Sequence, residues 1–576
     1  MVAFFKTHPA LPILVITVSL VYGSWHIFNA GFLAGKYYPV TGEGDTMFYG
    51  QRARAAYSGD WLAGDIALWE NQKSPVFLPI LNPIIMGALG KIMGSLEKGF
   101  VASDFIFPPL IFAALYFLAY ELAQSRAGAA LFASLFIFAP QIVTFPSVAS
   151  VTLFTKLQAL YFSRFEYPKL TFLFYALAFY FILRALKYKK GIDIFLAGAS
   201  FGLLFYTYLY DWASMLTALF LMIFFFWLQK DYEKVKIIIT IVLTGLAISV
   251  FYWINFLQLR NLDSFADIQK RIGMEVSRMP YIAVVWKTYL RVAALLAAMA
   301  LFWLKKDKLI FIYITSFLLA YYATVNAQII IGFNIHPDHW YRAAFLPWGL
   351  AFFVLGVWLY GKLTAPNSKP LAISAYVLIS ALGLWGLASN YLLARAISDG
   401  SGLPAEISES YSWLNQNTLS RSTVGSVSFS TENEIQLHAH NTVFIPNGAN
   451  TIAPEEEIWT RTAWMAKIYG MDAKKFKNLL ENSSMYLFHM RYRDDTPGSS
   501  FIHEYVLDPA KYEKEYKGKI EKYVDLAQNL DLKNLPFHLD YLYFGPKEKA
   551  LGKDPNIFIR NLKKVYDKNQ VVIYAL

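Results

Sequence analysis

The sequence predicts a polytopic α-helical membrane protein followed by a C-terminal soluble domain of mixed α/β type. Three observations predict it. The chain is 56% hydrophobic and only 16% charged, with a mean hydropathy of +0.36, whereas soluble domains carry about 25% charged residues. Apolar runs of about 20 residues, the length of a helix that crosses a bilayer, recur through the first two thirds of the chain. From about Ala394 onward charged and polar residues are frequent and no run is long enough to span.

The apolar runs fall at 11–30, 75–95, 101–123, 127–146, 168–186, 192–209, 212–228, 236–256, 283–304, 309–325, 343–361 and 370–391, giving about 11–13 transmembrane helices. Leu11 to Phe28 is long enough to span. Ala30 and Ala34 are small residues at which a signal peptide can be cut, but the further spans and the polar loop directly after it favour an uncleaved first span. The expected division is a transmembrane domain over 1–393, with a first external loop at 33–74, and a soluble domain over 394–576. Within the latter, Glu406 to Asn417 reads as a helix. Val424 to Phe429, Val443 to Pro446, Tyr541 to Phe544 and Val571 to Tyr574 read as short strands.

Charge orients the chain. The formal net charge is +11, yet the basic residues sit largely in short loops between spans, so no nucleic-acid partner is implied. The loops Arg184 to Lys190, Lys230 to Lys236, Lys305 to Lys308 and Lys362 to Lys369 are successively separated by two spans and can all be cytoplasmic. The linkers at Tyr210 and Asp211, at Leu257 to Tyr281 and at Asn326 to Arg342 are then external, as is the C-terminal domain. The first third does not fit this scheme with four spans between 75 and 186. The run at 75–95, which contains Pro75, Pro79 and Pro83, is where the conflict falls. The chain has no cysteine, which excludes disulfides and thiolate metal sites.

Several polar clusters stand at the expected external face. The first loop opens with Gly42-Glu43-Gly44-Asp45 and continues with Trp61 and Trp69. Carboxylates at the mouth of a membrane bundle are functional candidates, and a solvated loop is the plainer alternative. Met47 to Tyr57 can form an amphipathic interfacial helix with Arg52 and Arg54 toward phosphates. His336, Asp338, His339 and Arg342 crowd one linker. They can hold a divalent metal or bind a phosphate, and the spacing of His336 and His339 is not that of a zinc protease. Arg164, Glu166 and Lys169 alternate at the start of a span, where snorkelling accounts for Lys169 alone. Tyr210 and Asp211 occupy a minimal turn, for which a plain turn role is the alternative. Lys287 and Arg291 share a helix face inside an apolar span and should face a cavity or a lipid phosphate. Asp104 lies near another span start. Carboxylates, cations and aromatics converging on one face suit transfer of a sugar from a polyprenyl-phosphate donor. Cations stabilise the phosphate leaving group and a carboxylate takes the acceptor proton.

With these residues in hand, the chain resembles the GT-C superfamily of integral-membrane glycosyltransferases over about residues 10–390. The resemblance rests on Gly42-Glu43-Gly44-Asp45-Thr46, on Ser58-Gly59-Asp60-Trp61-Leu62, on the proline-marked Lys73-Ser74-Pro75 and on many spans with an external C-terminal domain. It implies a lipid-linked sugar donor, inversion of the anomeric centre, and Asp45 as catalytic base with Glu43 beside it. From their own chemistry, and not from the resemblance, Lys287, Arg291, His336, His339, Arg342 and Arg164 are expected around the donor phosphate, with Asp211, Glu166, Trp61, Tyr210 and Asp104 near substrate; His336 to Arg342 is not a motif of a characterised branch. A glycan, a lipid or a protein is the acceptor. The one cofactor the residues suggest is a divalent metal, for which His336, Asp338 and His339 are the candidate ligands. The chain lacks the Trp-Trp-Asp motif of oligosaccharyltransferases, so transfer of whole glycans to asparagine is disfavoured. An O-antigen-ligase-like or polymerase-like enzyme using a diphosphate-linked glycan is one alternative, and a lipid or solute transporter is another.

Overall fold

The computed structural model describes all residues except 1–7, 34–45, 63, 78, 141–159, 277, 279–289, 291, 301–306, 336–338, 364–368, 398–402, 493–512 and 560–561. Among the described residues, seven helices are long and apolar enough to cross a membrane: Leu11–Phe32, Leu96–Ala123, Lys169–Tyr188, Leu209–Leu228, Lys308–Ile331, Arg342–Tyr360 and Ala372–Ala396. Tyr232–Ile248 and Val250–Arg260 form an eighth if the pair, bent by 56°, is one span. The chain is thus a multi-pass membrane protein. Three expected spans prove shorter: Leu81–Met93, Arg126–Phe138 and Gly191–Leu204. Helices of 13 or 14 residues reach only about 20 Å, against about 30 Å of hydrocarbon. Most of the run expected at 283–304 lies outside the described residues.

Local chemistry sets several helix ends. Ser95 and Ser125 accept from the backbone N–H groups of Lys98 and Gly128, starting Leu96–Ala123 and Arg126–Phe138. Asp231 and Asp307 do the same for Tyr232–Ile248 and Lys308–Val325. Close packing of Gly191–Leu204 on Tyr232–Ile248 depends on glycine. A Cβ added at Gly245 would lie 2.2 Å from the Phe201 ring, and one at Gly198 2.5 Å from Thr244.

The bundle has two chemically different ends. At one, His8 Nδ1 lies 2.7 Å from the Tyr116 hydroxyl. There Arg184 pairs with Asp193 and Glu121, Lys187 with Glu121 and Lys189 with Glu233. The basic loop after Lys187 is therefore at the end where the first span begins. The misfit in the first third disappears, because Leu81–Met93 is a short helix at the opposite end and not a span.

At that opposite end sits the C-terminal unit, built on a five-stranded sheet of β3 (Thr423–Gly425), β4 (Thr442–Val443), β5 (Tyr541–Phe544), β6 (Lys563–Lys568) and β7 (Val571–Ala575). The remaining pair, β1 (Met274–Val276) with β2 (Phe333–Ile335), is antiparallel and joins two linkers of the bundle. The five-stranded order is β4-β3-β5-β7-β6, with β3 parallel to β4 and β5 and the other pairs antiparallel. Strands appear close to the expected places, but β3 is shorter than expected because Phe429 already belongs to the helix Phe429–His438. The sheet's core includes Ala67 and Leu68 of the first loop. The backbone N–H of Val443 donates to the Ala67 carbonyl at 2.9 Å. The later part of the first loop is therefore built into the C-terminal unit and is not a solvated excursion.

Candidate active site

The site is assembled from the segment that precedes the span Lys169–Tyr188, from neighbouring span starts, and from the helix Gln51–Ser58. Arg342, at the start of its span, places its guanidinium 4.4 Å from the centre of the Tyr167 ring. Its Nη1 lies 3.4 Å from the Tyr208 hydroxyl. Tyr167 and Tyr208 face each other at 4.2 Å, and Tyr208 meets Tyr210 at 4.9 Å. The ring of Tyr210 lies 5.5 Å from His339, and its hydroxyl donates to the Ile335 carbonyl at 3.1 Å. Asp211 is buried in the first turn of its span and interacts electrostatically with Arg342. Asn334 fixes the linker from which His339 and Arg342 project: it accepts from Trp340 Nε1 at 2.7 Å and donates to Gln328 and the Val325 carbonyl. Burial pushes the Tyr167 and Tyr208 hydroxyls well above the usual phenol range, so both stay protonated and available as donors.

A second set of charges lies alongside. Lys169 Nζ is 2.8 Å from Asp104 Oδ1 and 2.6 Å from Ser103 Oγ, while His26 Nε2 is 2.7 Å from Asp104 Oδ2. Lys169 also interacts electrostatically with Glu166, and Glu166 in turn with Arg52. Within four residues, Glu166 and Lys169 join this buried chain while Tyr167 faces Arg342. Burial lowers the Arg52 guanidinium to about 10, opposed by Asp65 and Glu166, and it remains charged at neutral pH.

The residues expected from sequence divide as follows. Arg342, Asp211, Tyr210 and His339 come together, and Glu166 and Asp104 are linked through Lys169. Arg164 is half-buried beside this segment. Trp61 is 41% exposed and does not join the cluster. Asp45, Glu43, Lys287, Arg291, His336 and Asp338 lie outside the described residues. Among the described residues no three His, Cys, Asp or Glu side chains gather as a metal site.

Three expectations are corrected. Lys169 does not snorkel: it is completely buried and paired with an equally buried aspartate. Asp211 is not a plain turn residue but part of a buried polar cluster. Arg54 is not directed at a phosphate, since it donates to the Leu437 carbonyl at 2.7 Å and pairs with Glu97. Its helix is not laid on a lipid surface either, because Gln51, Arg52, Ala53, Arg54 and Ala56 are all buried. His26, Tyr167 and Tyr208 escape sequence reading. A single histidine in an apolar span, one tyrosine before a proline and another in a run of tyrosines have no diagnostic spacing.

No protein-family model matches the chain, and none of the curated proteins matches it by sequence. Among solved structures it is similar to ArnT from Cupriavidus metallidurans bound to undecaprenyl phosphate, at 12% identity and a TM-score of 0.44, covering 98% of this chain and 97% of that one. It is similar to the apo state of the same protein at 11% identity and a TM-score of 0.46, covering 100% and 98%. It is similar to the arabinofuranosyltransferase AftD from Mycobacteria at 13% identity and a TM-score of 0.50. That match covers 99% of this chain and 40% of the AftD chain. The AftD likeness carries the fold assignment: over 99% of its length the chain shares the fold of that protein, here a helical membrane bundle with a mixed α/β unit at one end.

Proposed function

We propose that the protein is a membrane glycosyltransferase that moves a sugar from a polyprenyl-phosphate donor to an acceptor on the extracytoplasmic side. The observation that carries this reading is the cluster of Arg342, Tyr167, Tyr208 and Asp211 at the bundle end shared with the C-terminal unit. A guanidinium and two protonated phenols supply donors for a phosphate that gains charge as it leaves. Aromatic faces suit the apolar face of a sugar. The likeness to an arabinofuranosyltransferase supports glycosyl transfer in general.

In this reading Asp45 is the general base and Glu43 its neighbour. Asp45 takes the proton of the acceptor hydroxyl as that oxygen attacks the anomeric carbon. The bond from that carbon to the phosphate oxygen breaks, the phosphate leaves with the electron pair, and the anomeric centre inverts. Arg342 and His339 hold the phosphate, together with Arg164, His336, Lys287 and Arg291. Asp211 and Tyr210 orient the sugar and Arg342. Residues 394–576 form the extracytoplasmic domain.

The test is transfer from a polyprenyl-phosphate sugar by the purified chain. Asp45→Asn is expected to lower the rate by about 10²–10⁴-fold, the range for a lost general base, with the thermal transition unchanged. Full activity in that variant refutes the assignment of the base.

A further inference from the structure

A polar groove between the helix Gln51–Ser58 and the C-terminal unit takes no part in the chemistry above. It has a volume of about 390 Å³ and is lined by Arg54, Tyr57, Ser58, Lys91, Asn415, Ser420 and His440, within the range of small-ligand sites. An adjoining crevice of about 20 Å³ shares Arg54, Ser58 and His440 with it and extends inward to Arg421, Gln436 and Asn441. That is room for one hydroxyl-sized group.

Three buried polar atoms in the walls of the crevice make no hydrogen bond among the described residues: Gln436 Oε1, Asn441 Oδ1 and Arg421 Nε. Gln436 and Asn441 are 4% and 5% exposed. The other end of each amide is already tied. Asn441 Nδ2 donates to Thr418, to the Ser422 hydroxyl and to the Ser422 carbonyl, and Gln436 Nε2 donates to the Ile66 carbonyl. What remains is two acceptors beside one donor. A hydroxyl group satisfies both kinds at once, since it gives one proton and accepts through its lone pairs, whereas a phosphate dianion gives none. The charges nearby are largely balanced within the protein, Arg54 by Glu97 and Arg421 by Asp60 at 3.3 Å. Lys91 lies 4.6 Å from the Tyr57 ring. The two arginines are therefore already paired and do not form an anion cradle.

The same stretch of chain joins the groove to the proposed active site. Tyr49, just before the helix, interacts electrostatically with Tyr208. Gln51 lines the crevice and Ser58 the groove. The nine steps from Tyr49 to Ser58 cover about 14 Å at the rise of an α-helix, a distance an extended oligosaccharide spans. We propose that this groove is the acceptor subsite and that it takes a neutral, hydroxyl-rich saccharide. The word acceptor rests on the transferase reading above; the saccharide class rests on the groove alone.

The experiment uses the full chain in lipid nanodiscs and saturation-transfer NMR. The probes are neutral trisaccharides of hexose, pentose or N-acetylhexosamine units, with inorganic phosphate as competitor. Ser420→Trp fills the groove from an exposed position, and Gln436→Met removes one of the two free amide oxygens. At least one trisaccharide is expected to bind the wild type. Ser420→Trp should abolish the signal, and Gln436→Met should weaken binding about threefold to tenfold, the effect of one lost hydrogen bond. Binding of a polyprenyl-phosphate sugar should be unchanged in both variants. No trisaccharide binding to the wild type, equal binding to Ser420→Trp, or displacement by phosphate alone overturns the proposal. Trisaccharide binding lost in Ser420→Trp, in a chain that binds no polyprenyl-phosphate sugar, upholds the saccharide site and refutes the transferase reading instead.

Discussion

Lys169 and Asp104 show how a few residues can decide the interior of a membrane bundle. Both are completely buried, and their pairing is completed by Ser103 and His26. Removing one partner leaves an uncompensated charge away from water, so Lys169→Met is expected to destabilise by about 3–5 kcal/mol. The double variant with Asp104→Asn should recover part of that loss, because the amide still hydrogen-bonds without a charge. Thermal unfolding of the purified protein measures both, and strict additivity would show that the two side chains do not act as a pair. The sequence exposed the charges but not their partners, since Asp104, Lys169 and His26 come from three spans that no local spacing relates. His438 offers a second test at this scale. Burial, with the charge of Arg54 next, pushes its imidazole down to about 3, while the unfolded chain titrates near the ordinary value of about 6.5. The folded state therefore binds fewer protons. Stability is fully present above about pH 6.5 and falls as pH drops toward the folded value, by about 1.4 kcal/mol per unit. Buried Glu432 and Glu548, whose values are raised, act in the opposite sense. The wild type compared with His438→Gln between pH 7 and pH 5 isolates the histidine, and identical pH slopes would contradict the account.

At the scale of elements, the helix Gln51–Ser58 fastens the two parts of the molecule. Gln51 bonds to Asn433 at 2.7 Å and to Asn450 at 2.8 Å, and Arg54 reaches the Leu437 carbonyl and Glu97. Asp65 completes the junction by accepting from Thr451, Ile452, Ala67 and Leu68. Arg54→Ala is expected to cost about 2 kcal/mol of stability, the scale of a charged hydrogen bond removed from a buried partner, and to lower transfer activity. An unchanged melting profile would show that the junction is not held there. The sequence pattern announced an amphipathic helix here but not what covers it, because a bilayer surface and a protein interior both reward the same apolar stripe. For the same reason Leu81–Met93 reads as a span, and Arg126–Phe138 and Gly191–Leu204 read as longer helices than they are. Hydropathy registers apolar content, while the point at which a helix stops depends on capping and tertiary contacts.

At the scale of the whole molecule, the fold class was legible because it rests on composition and on repeated apolar runs, which need no knowledge of contacts. The candidate site was half legible. Arg342, Asp211, Tyr210 and His339 stood out as polar residues in short linkers, whereas Tyr167, Tyr208 and His26 acquire meaning only from their neighbours in space. The proposed orientation puts the basic cluster of Arg184, Lys187 and Lys189 in the cytoplasm and the C-terminal unit outside. In this cysteine-free chain, a single cysteine placed at Tyr188 should label only from the cytoplasmic side. Labelling only from outside would invert the scheme. The central claim is that the arginine-aromatic cluster holds the phosphate of a lipid-linked sugar. Its most direct test is the affinity of the purified chain for a polyprenyl-phosphate sugar, compared between the wild type and Arg342→Gln. The account predicts binding weakened about 10–100-fold, the effect of one lost charge-assisted contact, in a protein that melts as before; equal affinity in the two proteins would contradict it.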